Sequence, residues 1–113
     1  MVGASSSKDK NGEEITVRPS VSQKIAARVP AYLRNCRANV VAMTDALDRL
    51  DFETVTRLGH DMRGSGGAFG FQAITDIGAA LQHAAEHSNT DTARKCVGEL
   101  SVYLDRAEKG HLN

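Results

Sequence analysis

Apolar residues recur at alternating steps of three and four through Leu33, Cys36, Val40, Met43, Leu47 and Leu50, and this spacing constrains the chain more than any other feature. Steps of three and four track a helical turn of about 3.6 residues, so these side chains line one face of a helix. In water such a stripe is stable only when other helices cover it. Three more stripes follow. One holds Phe52, Val55, Leu58, Met62 and Phe69. The next has Ile74, Ile77, Leu81, Ala84 and Ala85, with Gly78 among them. The last has Ala93, Cys96, Val97, Leu100, Tyr103, Leu104 and Ala107. No segment alternates with the period of two that marks a strand. Asp51 directly follows Leu50 and is expected to cap the second stripe's helix, while "HSNTD" reads as a turn. Short connections make consecutive helices antiparallel, so the expected fold is all-α, an antiparallel up-down-up-down four-helix bundle.

A short additional N-terminal helix is expected ahead of the bundle. "VSQKIAARV" places Val21, Ile25 and Val29 four residues apart behind Ser20 or Ser22, and Pro30 should interrupt it. Residues 1–16 are small, polar and charged and read as a disordered tail or linker, residues 17–110 as the bundle, and 111–113 as a frayed C-terminus beyond Gly110. Lysine and arginine number 14 against 14 acids and are scattered among them, which lacks the basic stripe of a nucleic-acid partner. No apolar run approaches the roughly 20 residues of a membrane span, and the start lacks the apolar core of a secretory signal. Cys36 and Cys96 both fall on apolar stripes; one disulfide is conceivable, but two reduced, buried thiols are the favoured reading, and with them a reducing, cytoplasmic setting.

Against this pattern stands "GHDMRGSGGAFG", residues 59–70, which carries five glycines where each costs a helix about 1 kcal/mol relative to alanine. At about 100° per residue, His60 lies about 160° from the core direction set by Val55, Leu58, Met62 and Phe69, so it faces solvent. Gly59, Gly66 and Gly70 fall on the flank of the buried face, where missing side chains let a neighbouring backbone approach. Gly64 and Gly67 straddle His60 and leave an open approach to its ring. Arg63 sets a permanent positive charge at the edge of that approach, and Thr56 and Arg57 border the same surface. Imidazoles ordinarily titrate near pH 6.5, so an exposed one offers a lone pair at physiological pH and can act as a nucleophile. A phosphoryl group is the electrophile that best accounts for a neighbouring guanidinium.

"HDMRGSGGAFGF", from His60 to Phe71, resembles the signature of histidine-containing phosphotransfer (HPt) domains of two-component phosphorelays. That signature is a histidine, a lysine three residues on, a glycine next, and a second glycine six residues later; here these are His60, Arg63, Gly64 and Gly70. "ALDRLDFETVTRLGH" before it and "ITDIGAALQHAA" after it are also similar to the family, and the likeness runs from about Val17 to Lys109. The resemblance implies a four-helix bundle in which His60 accepts a phosphoryl group, on Nε2, from a receiver domain's aspartyl phosphate and passes it to another receiver. It implies that Arg63 stands in for the usual lysine in placing the phosphoryl group and docking the receiver, that Gly64 gives room at the ring, and that Gln82 orients the ring. Arginine keeps the charge but replaces a compact ammonium with a planar fork. The implied partners are response-regulator receiver domains and a hybrid sensor histidine kinase, with the chain freestanding or part of a membrane-anchored kinase. Mg²⁺ would belong to the receiver, so no cofactor is expected on this chain. No Walker-type loop is present, so a phosphohistidine carrier is expected rather than an autonomous kinase.

Two other readings stand beside this one. An HPt-like bundle could bind signalling partners without being phosphorylated; the presence of His60 argues against it. His83 and His87, four apart, could share a metal, but they sit on the polar side with Glu86 as the only nearby acid, and surface histidines are the simpler reading. His111 is expected to be inert.

Overall fold

The computed structural model describes the backbone of residues 23–112 and side chains through Gly110. Four helices follow in chain order: α1 (Gln23–Asp48), α2 (Phe52–Ser65), α3 (Gln72–Glu86) and α4 (Thr90–Leu112), with a single 3₁₀ turn at Gly67–Phe69 between α2 and α3. Each helix packs on its chain neighbours and α4 closes back onto α1, which is the four-helix arrangement that the stripes require. Among the described residues there is no strand.

The stripes become the core. Leu33, Cys36, Met43 and Leu47 of α1 meet Val55 and Met62 of α2, Ile74 and Leu81 of α3, and Ala93, Leu100 and Leu104 of α4, all buried in one cluster. Cys36 and Cys96 are buried free thiols, and burial pushes both above the usual thiol range. Across the α1–α4 seam, Arg37 donates to Ser101 Oγ at 3.2 Å, Asp105 Oδ1 at 2.7 Å and Glu108 Oε1 at 2.9 Å.

Four expectations need correction. Among the described residues no separate helix precedes Pro30; α1 runs through it without interruption. Val29, Tyr32, Leu33 and Cys36 form one buried face across the proline, and that packing outweighs its local cost. Ala26, whose carbonyl loses its bond partner at Pro30, is exposed and stays within reach of water. Val21 and the proposed caps Ser20 and Ser22 lie outside the described residues, as does the 1–16 tail. Leu50 leaves its stripe: α1 stops at Asp48, and Leu50 is 63% exposed in the left-handed region with φ 57°. The α2 helix stops at Ser65 rather than reaching Phe69. Finally, α4 continues through Gly110 to Leu112.

The connections close by the same device. Asp51 N–H donates to the Ala46 carbonyl at 2.7 Å and Leu50 N–H to the Leu47 carbonyl at 3.1 Å, a Schellman cap with leucine at the position glycine usually holds. Ser88, with φ 52°, caps α3 in the same way through Asn89 N–H to Ala84 and Ser88 N–H to Ala85. As expected, Asp51 caps α2: its carboxylate accepts from Thr54 N–H at 3.2 Å and Thr54 Oγ1 at 2.6 Å. Those two bonds hold its carboxyl below the usual carboxylate range.

Candidate functional site

Helical phase decides what α2 shows to solvent. Val55, Gly59 and Met62 turn inward and are buried, while His60, Asp61, Arg63 and Gly64 lie on the exposed side. One turn before His60, Arg57 is exposed and Thr56 is half-buried.

The inward face of α2 meets α3 through two glycines. A Cβ on Gly59 would stand 2.9 Å from Gln82 N and 3.0 Å from Gly78 O. A Cβ on Gly78 would stand 2.6 Å from Arg63 N and 2.7 Å from Gly59 O. The two backbones therefore touch, and the glycine cost noted in the sequence is the condition for that approach. Gly59 acts as the sequence reading expects; Gly78 is its partner, recognisable beforehand only as a glycine inside an apolar stripe. This contact carries Gln82 to the edge of α2 beside Gly59 and Arg63.

Gly64 is open. A Cβ there would meet nothing within 4 Å, so the approach to His60 from the following turn is clear. Gly67 is placed differently from the helical-wheel expectation, because α2 has already ended. It lies in the 3₁₀ turn, where its N–H donates to Thr75 Oγ1 at 2.8 Å. Gly66 is buried against the start of α3, with Thr75 N 2.5 Å from an added Cβ. Gly70 is an exposed turn residue with φ 88°, so conformation rather than helix packing demands glycine there.

An aromatic stack anchors this turn. Tyr32 of α1 lies face to face with Phe69 at a centroid distance of 4.1 Å, and Phe71 and Tyr103 pack edge to face at 6.4 Å. Tyr32 Oη and Ser65 Oγ share a hydrogen bond of 2.8 Å at the end of α2. Burial pushes the Tyr32 phenol above its usual range, so it stays neutral. Helical periodicity does not reveal this stack; its only sequence signal is the aromatic residues themselves, Tyr32 in one segment and Phe69 and Phe71 of "AFGF" in another.

Arg63 Nη1 donates to Gln82 Oε1 at 3.2 Å, and Gln82 Nε2 donates to Glu86 Oε2 at 3.3 Å. The carboxamide of Gln82 is thus engaged at both ends by Arg63 and Glu86, not by His60 as the resemblance implied. The His60 imidazole makes no hydrogen bond among the described residues. Neither ring nitrogen is tied to a protein partner among the described residues, and the neighbouring Gly64 position is open. In the sequence, Glu86 is marked as a partner of Gln82 only by its four-residue helical spacing from it.

His83 and His87 are both exposed, with ring centroids 4.3 Å apart and His87 Nδ1 bonded to the His83 carbonyl at 2.8 Å. Among the described residues no three histidine, cysteine, aspartate or glutamate side chains gather as a metal site. Nor is any described helix long and apolar enough to cross a membrane.

The fold and site together define a small all-α bundle that presents an exposed imidazole one turn from a guanidinium held by Gln82. The model of the Hpt domain family matches residues 29–110, most of the chain, and the chain belongs to that family. Hpt domains serve histidine phosphotransfer in two-component phosphorelays, where they interact with receiver domains and kinases. Comparison with curated proteins and with solved structures gives no match.

Proposed function

We propose that this domain is a phosphorelay intermediate in which His60 takes a phosphoryl group from a receiver's aspartyl phosphate and gives it to a second receiver's aspartate. The observation that carries the reading is the exposed His60 ring, free of hydrogen bonds, with open space at Gly64 and Arg63 one turn away. In the forward step, the lone pair of His60 Nε2 attacks phosphorus as the aspartyl O–P bond breaks. That bonding pair leaves on the receiver's carboxylate, while Nδ1 keeps its proton. The reverse step onto the next receiver regenerates the neutral ring.

Arg63 supplies charge where the phosphoryl oxygens gather. Two unit charges 4 Å apart attract by about 1 kcal/mol in bulk water and about 4 kcal/mol in the lower dielectric of a surface covered by a docked partner. Docking therefore strengthens the contribution of Arg63 when transfer occurs. Thr56, Arg57 and Gly64 border the receiver's footprint. The Mg²⁺ of the aspartyl chemistry resides on the receiver, and the compartment is the cytoplasm, with the domain freestanding or attached to a membrane-anchored sensor kinase.

The test is label transfer. Phosphorylated receiver domains from the source organism should pass label to the wild-type domain as an acid-labile, alkali-stable phosphohistidine. His60→Gln should accept none while keeping the wild-type helical circular dichroism. Persistent labelling of His60→Gln would remove His60 as the acceptor. A wild-type domain that binds receivers tightly but takes no label from any of them would favour the binding-only bundle.

A further inference from the structure

Gln82 sits between two groups of opposite hydrogen-bonding character. A guanidinium has only donors and an ionised carboxylate only acceptors, whereas a carboxamide has one acceptor end and one donor end. Gln82 satisfies both neighbours in a single orientation, with Oε1 toward Arg63 and Nε2 toward Glu86. Turned over, it would set N–H against N–H at Arg63 and oxygen against oxygen at Glu86. Glu86 thereby selects the orientation that holds Arg63, although it does not itself touch Arg63.

We propose that Glu86 is a positioning residue for phosphoryl transfer at His60, acting through Gln82 to brace the Arg63 guanidinium before a phosphoryl group arrives. The inference rests on His60 being the phosphoacceptor. A free arginine side chain must be ordered when it meets a phosphoryl group, and bracing it beforehand removes part of that cost. Only one guanidinium N–H group is spent on Gln82, so the rest of the planar fork stays available for phosphoryl oxygens. Gly59 and Gly78 set the helix spacing that lets Gln82 reach. The bracing suits an arginine at position 63, whose fixed fork can serve two partners at once.

The experiment follows labelling of the whole chain by the small donor phosphoramidate, read by ³¹P NMR, alongside the Nε–H resonance of Arg63. Glu86→Leu should slow labelling by about two- to fivefold, the effect of losing one exposed hydrogen bond, and should broaden the Arg63 signal. Glu86→Gln keeps an acceptor and should stay within about twofold of wild type. Gln82→Leu should be slow whether or not Glu86→Leu is added, because Glu86 has no other route to Arg63. Wild-type labelling and an unchanged Arg63 signal in Glu86→Leu would overturn the proposal. So would a further slowing by Glu86→Leu in the Gln82→Leu background, or Glu86→Gln as slow as Glu86→Leu, since either means that charge acts directly. Absence of label on the wild-type His60 would instead overturn the phosphoacceptor reading, and the transfer role of Glu86 with it. The Arg63 resonance would then still show whether Glu86 holds the guanidinium.

Discussion

Replacing Gly78 by alanine tests the contact on which the site is built. The added Cβ would stand 2.6 Å from Arg63 N, 2.7 Å from Gly59 O and 3.0 Å from Met62 C. Ordinary contact begins near 3.4 Å, so the closest pair must separate by about 0.8 Å. All three atoms are backbone, and no rotamer change relieves them. Inserting a methyl into a packed interior costs about 1–3 kcal/mol, and three backbone contacts place this site near the upper end, about 3 kcal/mol. Alanine returns about 1 kcal/mol of helix propensity, leaving a net loss of about 2 kcal/mol. For a urea m-value of about 2 kcal/mol per molar, the unfolding midpoint should fall by about 1 M with m unchanged. The same separation would stretch the 3.2 Å bond from Arg63 to Gln82, so phosphotransfer should slow as well. Gly64→Ala is the control: its Cβ meets nothing within 4 Å, and it should gain about 0.5–1 kcal/mol. A Gly78→Ala domain as stable as wild type in urea would refute the claim that α2 and α3 meet backbone to backbone.

Other outcomes follow from the same geometry. Gly64→Leu should leave the urea midpoint near or above wild type yet slow labelling of His60, because the new side chain occupies the open approach; unchanged transfer rates would contradict that account. Leu50→Gly should stabilise the bundle by about 0.5–1 kcal/mol in urea unfolding, since relief of the left-handed strain, about 1–2 kcal/mol, exceeds the added backbone entropy of glycine. Leu50 is 63% exposed, so little packing is lost. The Asp51 carboxyl titrates lower in the folded chain than when unfolded, so its contribution is complete above the ordinary carboxylate pKa of about 3.9 and fades as pH falls through the folded value. Asp51→Asn, which keeps a capping oxygen, should flatten that part of the acid limb in pH-dependent thermal melts; an unaltered acid limb would assign the loss to other groups.

Much of this molecule was legible from residue spacing. Three-four periodicity is a local consequence of helix geometry, so the four stripes, the Asp51 cap and the outward phase of His60 could be read residue by residue. The buried thiols Cys36 and Cys96 followed for the same reason. What the spacing did not contain was set by contacts between segments far apart in the chain. Pro30 breaks a helix by local rules, yet the continuous burial of Val29, Tyr32 and Leu33 holds α1 together through it. Gly67 shared a wheel face with His60 only if α2 continued; the turn pinned by Thr75, with Tyr32 stacked on Phe69, ends the helix first. Gln82 was expected at the imidazole, but the depth to which Gly59 and Gly78 let α2 and α3 approach brings it to Arg63. Local sequence determined which atoms could do the chemistry, because helical phase depends on near neighbours. Only the tertiary structure decided which of them brace one another, because a hydrogen bond between helices depends on spacing that no single helix encodes.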